Sequence, residues 1–321
     1  MNKDDLMNKE NKEYEKMDGS GFPPAKVTSP SYLKKILREK NLSPRRAMGQ
    51  HFLVDENILG KILSAAGLDK SDLVIDIGAG PGALSLAMAK EVAAVIAVEW
   101  DGGLAALLQE QARMRGLENL HVVEGDVRRL DLEKICGDKL REISPTREGG
   151  GKVKVVANLP YYLVTPLLFK LLQGKLQLKL LLLMVQLEVA ERITAAPGEK
   201  EYGLLSVLCR YYTRPRLLFK VSRHVFFPPP EVESAVVLLE VPPDPPYKVR
   251  DEGFFWQIAK AAFQKRRKTI LNALSGLGGA GKDTWEELLQ KCGISPVRRG
   301  ETLSLEEFAN LSEMFYNIKG L

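Results

Sequence analysis

"LVIDIGAGPGALSLAMAKEVAAVIAVEWD", residues 73–101, is the stretch that decides the fold. A short, mostly apolar run enters a loop with glycines at 78, 80 and 82, a helical pattern follows, and a second apolar run ends at Glu99. Strands that are almost continuously apolar are buried on both faces, as in a parallel sheet covered by helical crossovers. Working outward, "NLHVVEGD" (119–126), "KVKVVANLPYY" (152–162) and "LKLLLLMV" (178–185) repeat the pattern, and two late strands fall near "RLLFKVS" and "SAVVLLEV". Helical spacing separates them in "GLAALLQEQARMRG", "LEVAERI" and "YGLLSVLCRYY". Ahead of the first strand, "SYLKKILREK" and "ENILGKILSAAGL" are also helical, with Ile58, Leu59, Ile62, Leu63 and Ala66 on one face. The fold class is α/β, doubly wound, with a mostly parallel sheet.

The chain of 321 residues, 45% apolar, is long enough for one sizeable core and a second, smaller one. A proline-rich stretch, "VPPDPPYK" (241–248), marks the boundary, and "SPTREGGGK" (144–152) reads as a flexible surface loop. Beyond the boundary, "FFWQIAKAAFQKRRKTILNALSGL", "DTWEELLQKCG" and "SLEEFANLSEMFYNI" are expected to be helices of a small all-α domain. The expected division is a disordered tail at 1–30, an α/β domain at 31–243 and a helical domain at 244–321. No apolar run is long enough to cross a bilayer, and the first residues are charged with both signs, so a cytoplasmic protein without a membrane partner is expected. Cys136, Cys209 and Cys292 lie far apart, and His51, His121 and His224 lack ligand spacing, which points away from a disulfide framework and a metal site. A net charge of +5 decides little about partners.

Ligands of open parallel sheets sit outside the carboxyl ends of the strands. Four groups fall at such ends. Gly78, Gly80 and Gly82 allow close backbone approach to a ligand, and Glu99 could accept from both hydroxyls of a ribose. Asp126 could accept from an adenine amino group, or simply cap a helix. The first two groups suit a nicotinamide cofactor as well as an adenosine-bearing methyl donor. The GxGxG spacing, with Pro81 between the last two glycines, departs from the GxGxxG that receives a pyrophosphate.

Asn158, at the end of the fourth strand in "ANLPYY", says more. The exocyclic N6 of adenine is a poor nucleophile because its lone pair is delocalised into the ring. Hydrogen bonds accepted from it by the Asn158 side chain and the Leu159 carbonyl would draw it toward a tetrahedral, nucleophilic state. Pro160 would stiffen the turn, and Tyr161 would offer a flat surface to a flipped-out base.

These segments, with "GQHFLVDENIL", "MVQLEVAERI", "VFFPPPEVESAVV" and "FQKRRKTILNAL", occur in an order that resembles the bacterial rRNA adenine N6,N6-dimethyltransferases of the kasugamycin-sensitivity type. The likeness runs from about Ala47 to the C-terminus. It implies a Rossmann-like class I methyltransferase fold and S-adenosylmethionine as methyl donor. It also implies as substrate two adjacent adenines in the 3′-terminal hairpin loop of 16S rRNA, in the small subunit or its precursor, and a monomeric enzyme. Carried over, cofactor contacts fall on His51, Leu53, Gly78, Gly80, Glu99, Asp126 and Asn158, and the reacting base meets Asn158, Leu159, Pro160, Tyr161 and a second stacking face at Phe226. The family usually has Asn where this chain has His51, and Asn or another polar residue where it has Tyr162. "FQKRRKTILNAL", read as one helix, sets Phe263, Ile270, Leu271 and Leu274 on an apolar stripe. Lys265, Arg266, Arg267 and Lys268 then form an RNA-binding group, since no acid occurs between Glu252 and Asp283. Two rivals stand beside this reading: a large-subunit rRNA dimethylase conferring resistance, which shares the NLPY site but has "FQKRRKTILNAL" and "FPPPEVESAVV" against it, and an idle ribosome-assembly or transcription factor, against which the intact Asn158-Pro160-Tyr161 set stands.

Overall fold

The structure is a computed structural model that describes residues 26–45, 48–143, 152–244, 247–264 and 267–319. The expected loop at 144–152 lies outside the described residues except for Lys152, as do Pro245 and Pro246 of the proline-rich stretch and Lys265 and Arg266 of the basic group.

Helix α1 (Pro30–Glu39) begins with Pro at its first position, where the missing N–H is no loss, and the Ser29 side chain caps it by accepting from Tyr32 N. A two-residue strand, β1 (Phe52–Leu53), precedes α2 (Glu56–Ala66). The Asp55 carboxylate caps α2 at Ile58 N, 2.9 Å, and Leu59, Ile62 and Ala66 form its buried edge. The α/β alternation then runs β2 (Leu73–Ile77), α3 (Ala83–Met88), β3 (Ala94–Glu99), α4 (Gly102–Met114), β4 (Leu120–Glu124), α5 (Leu132–Ile143), β5 (Val153–Asn158), α6 (Val164–Leu172) and β6 (Leu178–Gln186). Next come α7 (Leu187–Thr194), α8 (Leu204–Tyr212), β7 (Arg214–Val221), β8 (Phe226–Phe227) and β9 (Ser234–Glu240). The C-terminal helices are α9 (Glu252–Gln264), α10 (Ile270–Leu274), α11 (Lys282–Lys291) and α12 (Leu305–Lys319).

Seven strands form one sheet in the order β4-β3-β2-β5-β6-β9-β7, while β1 and β8 pair antiparallel on their own. The β2–β3, β3–β4, β2–β5 and β5–β6 pairings are parallel. The chain builds outward from β2 in one direction and from β5 in the other, so the topological switch lies between them, where a crevice opens at the carboxyl ends. Every residue of β2 and β3 is buried, as their apolar runs require. Lys154 in β5 is the exception in kind. Its ammonium is buried against the Asp72 carboxylate at 2.6 Å and donates to the Gly67 carbonyl at 2.5 Å, a paired charge that a core tolerates.

Three expectations change. Residues 26–30, assigned to a disordered tail, are packed: Val27 and Thr28 are buried, and Lys26 pairs with Glu56 at 2.9 Å. The described residues divide into two compact units, those within Met1–Leu187 and Leu218–Leu238, and those within Glu188–Leu217 and Leu239–Leu321, where a single cut at 243/244 was expected. Within the second unit Tyr211 packs on Phe255 at 4.7 Å between ring centroids, and the Tyr202 hydroxyl donates to the Leu303 carbonyl, which draws α8 and the segment before it into the helical unit. The long helix expected over 254–277 is also interrupted. Thr269 is extended, and its hydroxyl accepts from Asn272 N, so α10 starts afresh there.

Candidate functional site

The crevice is a cavity of about 400 Å³ at the carboxyl ends of β2, β3, β4 and β5, within the range of small-ligand sites. His51, Leu53, Gly78, Gly80, Glu99 and Asp126 all line it, together with Asn158 and Pro160. The sequence scatters these residues over more than a hundred positions. Parallel strands bring them together because every strand ends on the same edge.

The glycine loop fits its neighbours closely. Gly78 has φ +73°, and a Cβ there would lie 2.8 Å from Cδ of Pro160, so the loop after β2 and the turn after β5 touch only because this side chain is absent. Glu99 is buried at 6% exposure and holds the loop from below: Oε2 accepts from Gly80 N at 2.8 Å and Oε1 from Asp101 N at 2.9 Å. Each oxygen keeps a further acceptor position, enough for a pair of hydroxyls. Burial pushes its carboxyl above the ordinary carboxylate range, opposed by those two N–H groups.

Asn158 is oriented by the chain itself. Its Nδ2 donates to the His51 carbonyl at 2.9 Å, which leaves Oδ1 as the amide's acceptor beside the cavity. The contact uses the backbone of residue 51, so it is indifferent to the side chain that departs from the family pattern. That imidazole donates from Nδ1 to the Pro228 carbonyl at 2.7 Å and stacks on Tyr161, with ring centroids 5.7 Å apart. Tyr161 is half-buried and its hydroxyl meets Ser234 Oγ at 3.2 Å. Leu159 is buried, its N–H donating to the Met184 carbonyl at 3.1 Å.

Asp126 sits at the mouth, where the Arg128 guanidinium holds its carboxyl well below the usual range, at about 2. Phe226 departs from expectation. It is 3% exposed, packed in the core opposite Leu53, and offers no free face to a base in this conformation. Neighbours along a strand point to opposite sides, so Phe227 is the partly exposed ring, with the Lys34 ammonium 5.0 Å from its centroid. In the other unit Arg267 and Lys268 are exposed in the turn before α10.

Some site residues escaped the sequence reading. Asp76 lines the cavity from inside β2, 1% exposed, with Oδ2 accepting from the Ser85 hydroxyl and Oδ1 without a partner. Burial, and then the Glu99 charge, push its carboxyl up to about 7. An acid within an otherwise apolar strand was the available signal. Trp100, 47% exposed beside Glu99, also lines the mouth, as does Tyr162, 49% exposed, the residue that departs from the family pattern. An orphaned buried acceptor, a pinned ribose-type carboxylate and an acid at the rim fit an adenosine bearing an amino-acid tail. Among the described residues no cluster of His, Cys, Asp and Glu could hold a metal, and no helix is long and apolar enough to cross a membrane.

The sequence pattern described as "Ribosomal RNA adenine dimethylase" matches residues 41–316. The chain belongs to that family. It is therefore an S-adenosylmethionine-dependent rRNA adenine dimethyltransferase. It is 46% identical over 295 residues to a Pelotomaculum thermopropionicum protein named "Ribosomal RNA small subunit methyltransferase A", covering 92% of this chain and 99% of that one. Among solved structures, a dimethyladenosine transferase from Plasmodium falciparum superposes with a TM-score of 0.70 at 24% identity, covering 84% and 99% of the two chains. A 23S rRNA methyltransferase does so with 0.59 at 22% identity, covering 82% and 98%. At those identities the two likenesses show the fold alone, that of a class I methyltransferase.

Proposed function

We propose that this member of the family methylates N6 of two adjacent adenines in the 3′-terminal hairpin loop of 16S rRNA, in the cytoplasm, during small-subunit biogenesis. The 46% identical relative, named for the small subunit, supports the choice over the large-subunit reading, as do "FQKRRKTILNAL" and "FPPPEVESAVV". An intact Asn158-Leu159-Pro160-Tyr161 turn beside a formed cavity supports an active enzyme over an idle fold.

The observation that carries the reading is the Asn158 amide, held by the His51 carbonyl with its oxygen left to accept. In this reading Asn158 Oδ1 and the Leu159 carbonyl accept from the target N6 amino group, and Pro160 fixes the carbonyl's direction. Tyr161, with one face against His51, stacks on the base with the other. S-adenosylmethionine, when bound, supplies a sulfonium methyl that is already electrophilic. Glu99 accepts from its ribose hydroxyls, Asp126 from its adenine amino group, and Gly78, Gly80, Leu53 and His51 wall the cavity around it. Lys265, Arg266, Arg267 and Lys268 hold rRNA phosphates. Single-turnover methylation by Asn158→Ala tests the central role: the rate is expected to fall roughly a hundredfold or more, with folding and RNA binding retained. Near-normal turnover would refute it.

A further inference from the structure

The turn after β4 holds an acid and an arginine in an arrangement that the reaction does not explain. Arg128 Nε lies 2.9 Å from Asp126 Oδ1 and 3.1 Å from Oδ2, Nη2 lies 2.7 Å from Oδ2, and Arg128 N donates to Oδ1 at 3.0 Å. A carboxylate oxygen accepts about two hydrogen bonds, so both are filled, Oδ2 in part by the Nε–H that it shares with Oδ1. Both residues line the cavity mouth. The acceptor assigned to an adenine amino group is thus already occupied.

The backbone here has little freedom to relieve the conflict. Gly125 N donates to the Glu99 carbonyl at 2.9 Å, and Arg129 N to the Asp126 carbonyl at 2.8 Å. Lys170, from α6, spends its three donors on the carbonyls of Val127, Arg128 and Leu130 at 2.9, 3.1 and 2.6 Å. The Arg128 side chain, by contrast, is 55% exposed. It is the part able to move, and an exposed ion pair opens at small cost.

We propose that Arg128 is a gate on the adenine subsite: it closes the Asp126 carboxylate in the free enzyme and leaves it for an RNA phosphate, so that cofactor and RNA bind cooperatively. The proposal rests on Asp126 being the adenine acceptor, as read above. A guanidinium freed at the mouth raises the positive field that RNA meets, and RNA that captures it clears the acceptor. By linkage each ligand tightens the other by the same factor.

Calorimetry with S-adenosylhomocysteine, which carries no transferable methyl group, tests this on the full chain. Arg128→Ala is expected to bind it roughly two- to fivefold more tightly than the wild type, the range an exposed ion pair allows. An RNA hairpin with two adjacent loop adenines should tighten the wild type by a similar factor and leave the variant unchanged. Arg128→Gln, which keeps part of the stem, should repeat the gain, and thermal melts establish that each variant is folded. Equal or weaker binding by both Arg128 variants, while Asp126→Ala binds weakly, overturns the gate alone. Undiminished binding by Asp126→Ala overturns the adenine-acceptor reading and the gate with it.

Discussion

Glu99→Ala removes a carboxylate with two duties. Toward the protein it accepts from Gly80 N at 2.8 Å and Asp101 N at 2.9 Å; toward the cavity it has two acceptor positions left for a ribose. The hydrogen bonds of a charged acceptor contribute about 1.5–3 kcal/mol. At about 1.4 kcal/mol per tenfold, Kd for S-adenosylmethionine should rise about ten- to 150-fold. The lost anchor for Gly80 also loosens the loop, and a buried N–H left unpaired costs about 1–3 kcal/mol of stability. Glu99→Gln separates the two duties, because its remaining oxygen can still accept from one of the N–H groups while the charge is gone. Calorimetric titration of both variants, after denaturant melts show them folded, is the assay. A Kd unchanged in Glu99→Ala would refute the placement of the ribose. Because burial raises the Glu99 carboxyl, wild-type affinity should already weaken on acidification at a pH above that of an ordinary glutamate.

Asp76 keeps its proton in the folded chain up to about pH 7, against 3.8 for an ordinary aspartate. The unfolded chain loses that proton first, so wild-type stability falls as pH rises through this window; Asp76→Asn should gain on the wild type from acid to neutral pH. The ceiling is about 4 kcal/mol at about 1.4 kcal/mol per pKa unit, read by denaturant melts, and parallel pH profiles would contradict it. Lys265→Ala combined with Lys268→Ala should lower the slope of log RNA affinity against log salt by about 0.7–0.9 for each lost phosphate contact, with cofactor affinity unaltered. An unchanged slope would place the RNA elsewhere.

The strand ends were legible because burial on both faces leaves an apolar run whose last polar residue stands out: Glu99, Asp126 and Asn158 all reach the cavity. Asp76 was hidden for the same reason, since an acid inside such a run looks like a strand residue until its unpaired oxygen is seen. Phe226 and Phe227 cannot be told apart by composition. The pairing of β1 with β8 sends Phe226 inward, and a two-residue strand has no period to read. The stripe Phe263, Ile270, Leu271 and Leu274 fits an unbroken helix as well as two, and the deciding residue, Thr269, acts through a cap of one hydrogen bond. The orientation of Asn158 depends on a carbonyl 107 residues away, which no local pattern encodes.

The most direct test of the central claim is mass mapping of methylated adenines after the purified protein and S-adenosylmethionine are incubated with small ribosomal subunits that lack the modification. Dimethylation is expected at two adjacent adenines in the 3′-terminal hairpin loop, and none with Asn158→Ala. Methylation confined to large-subunit rRNA, or none with the wild-type protein, would contradict it.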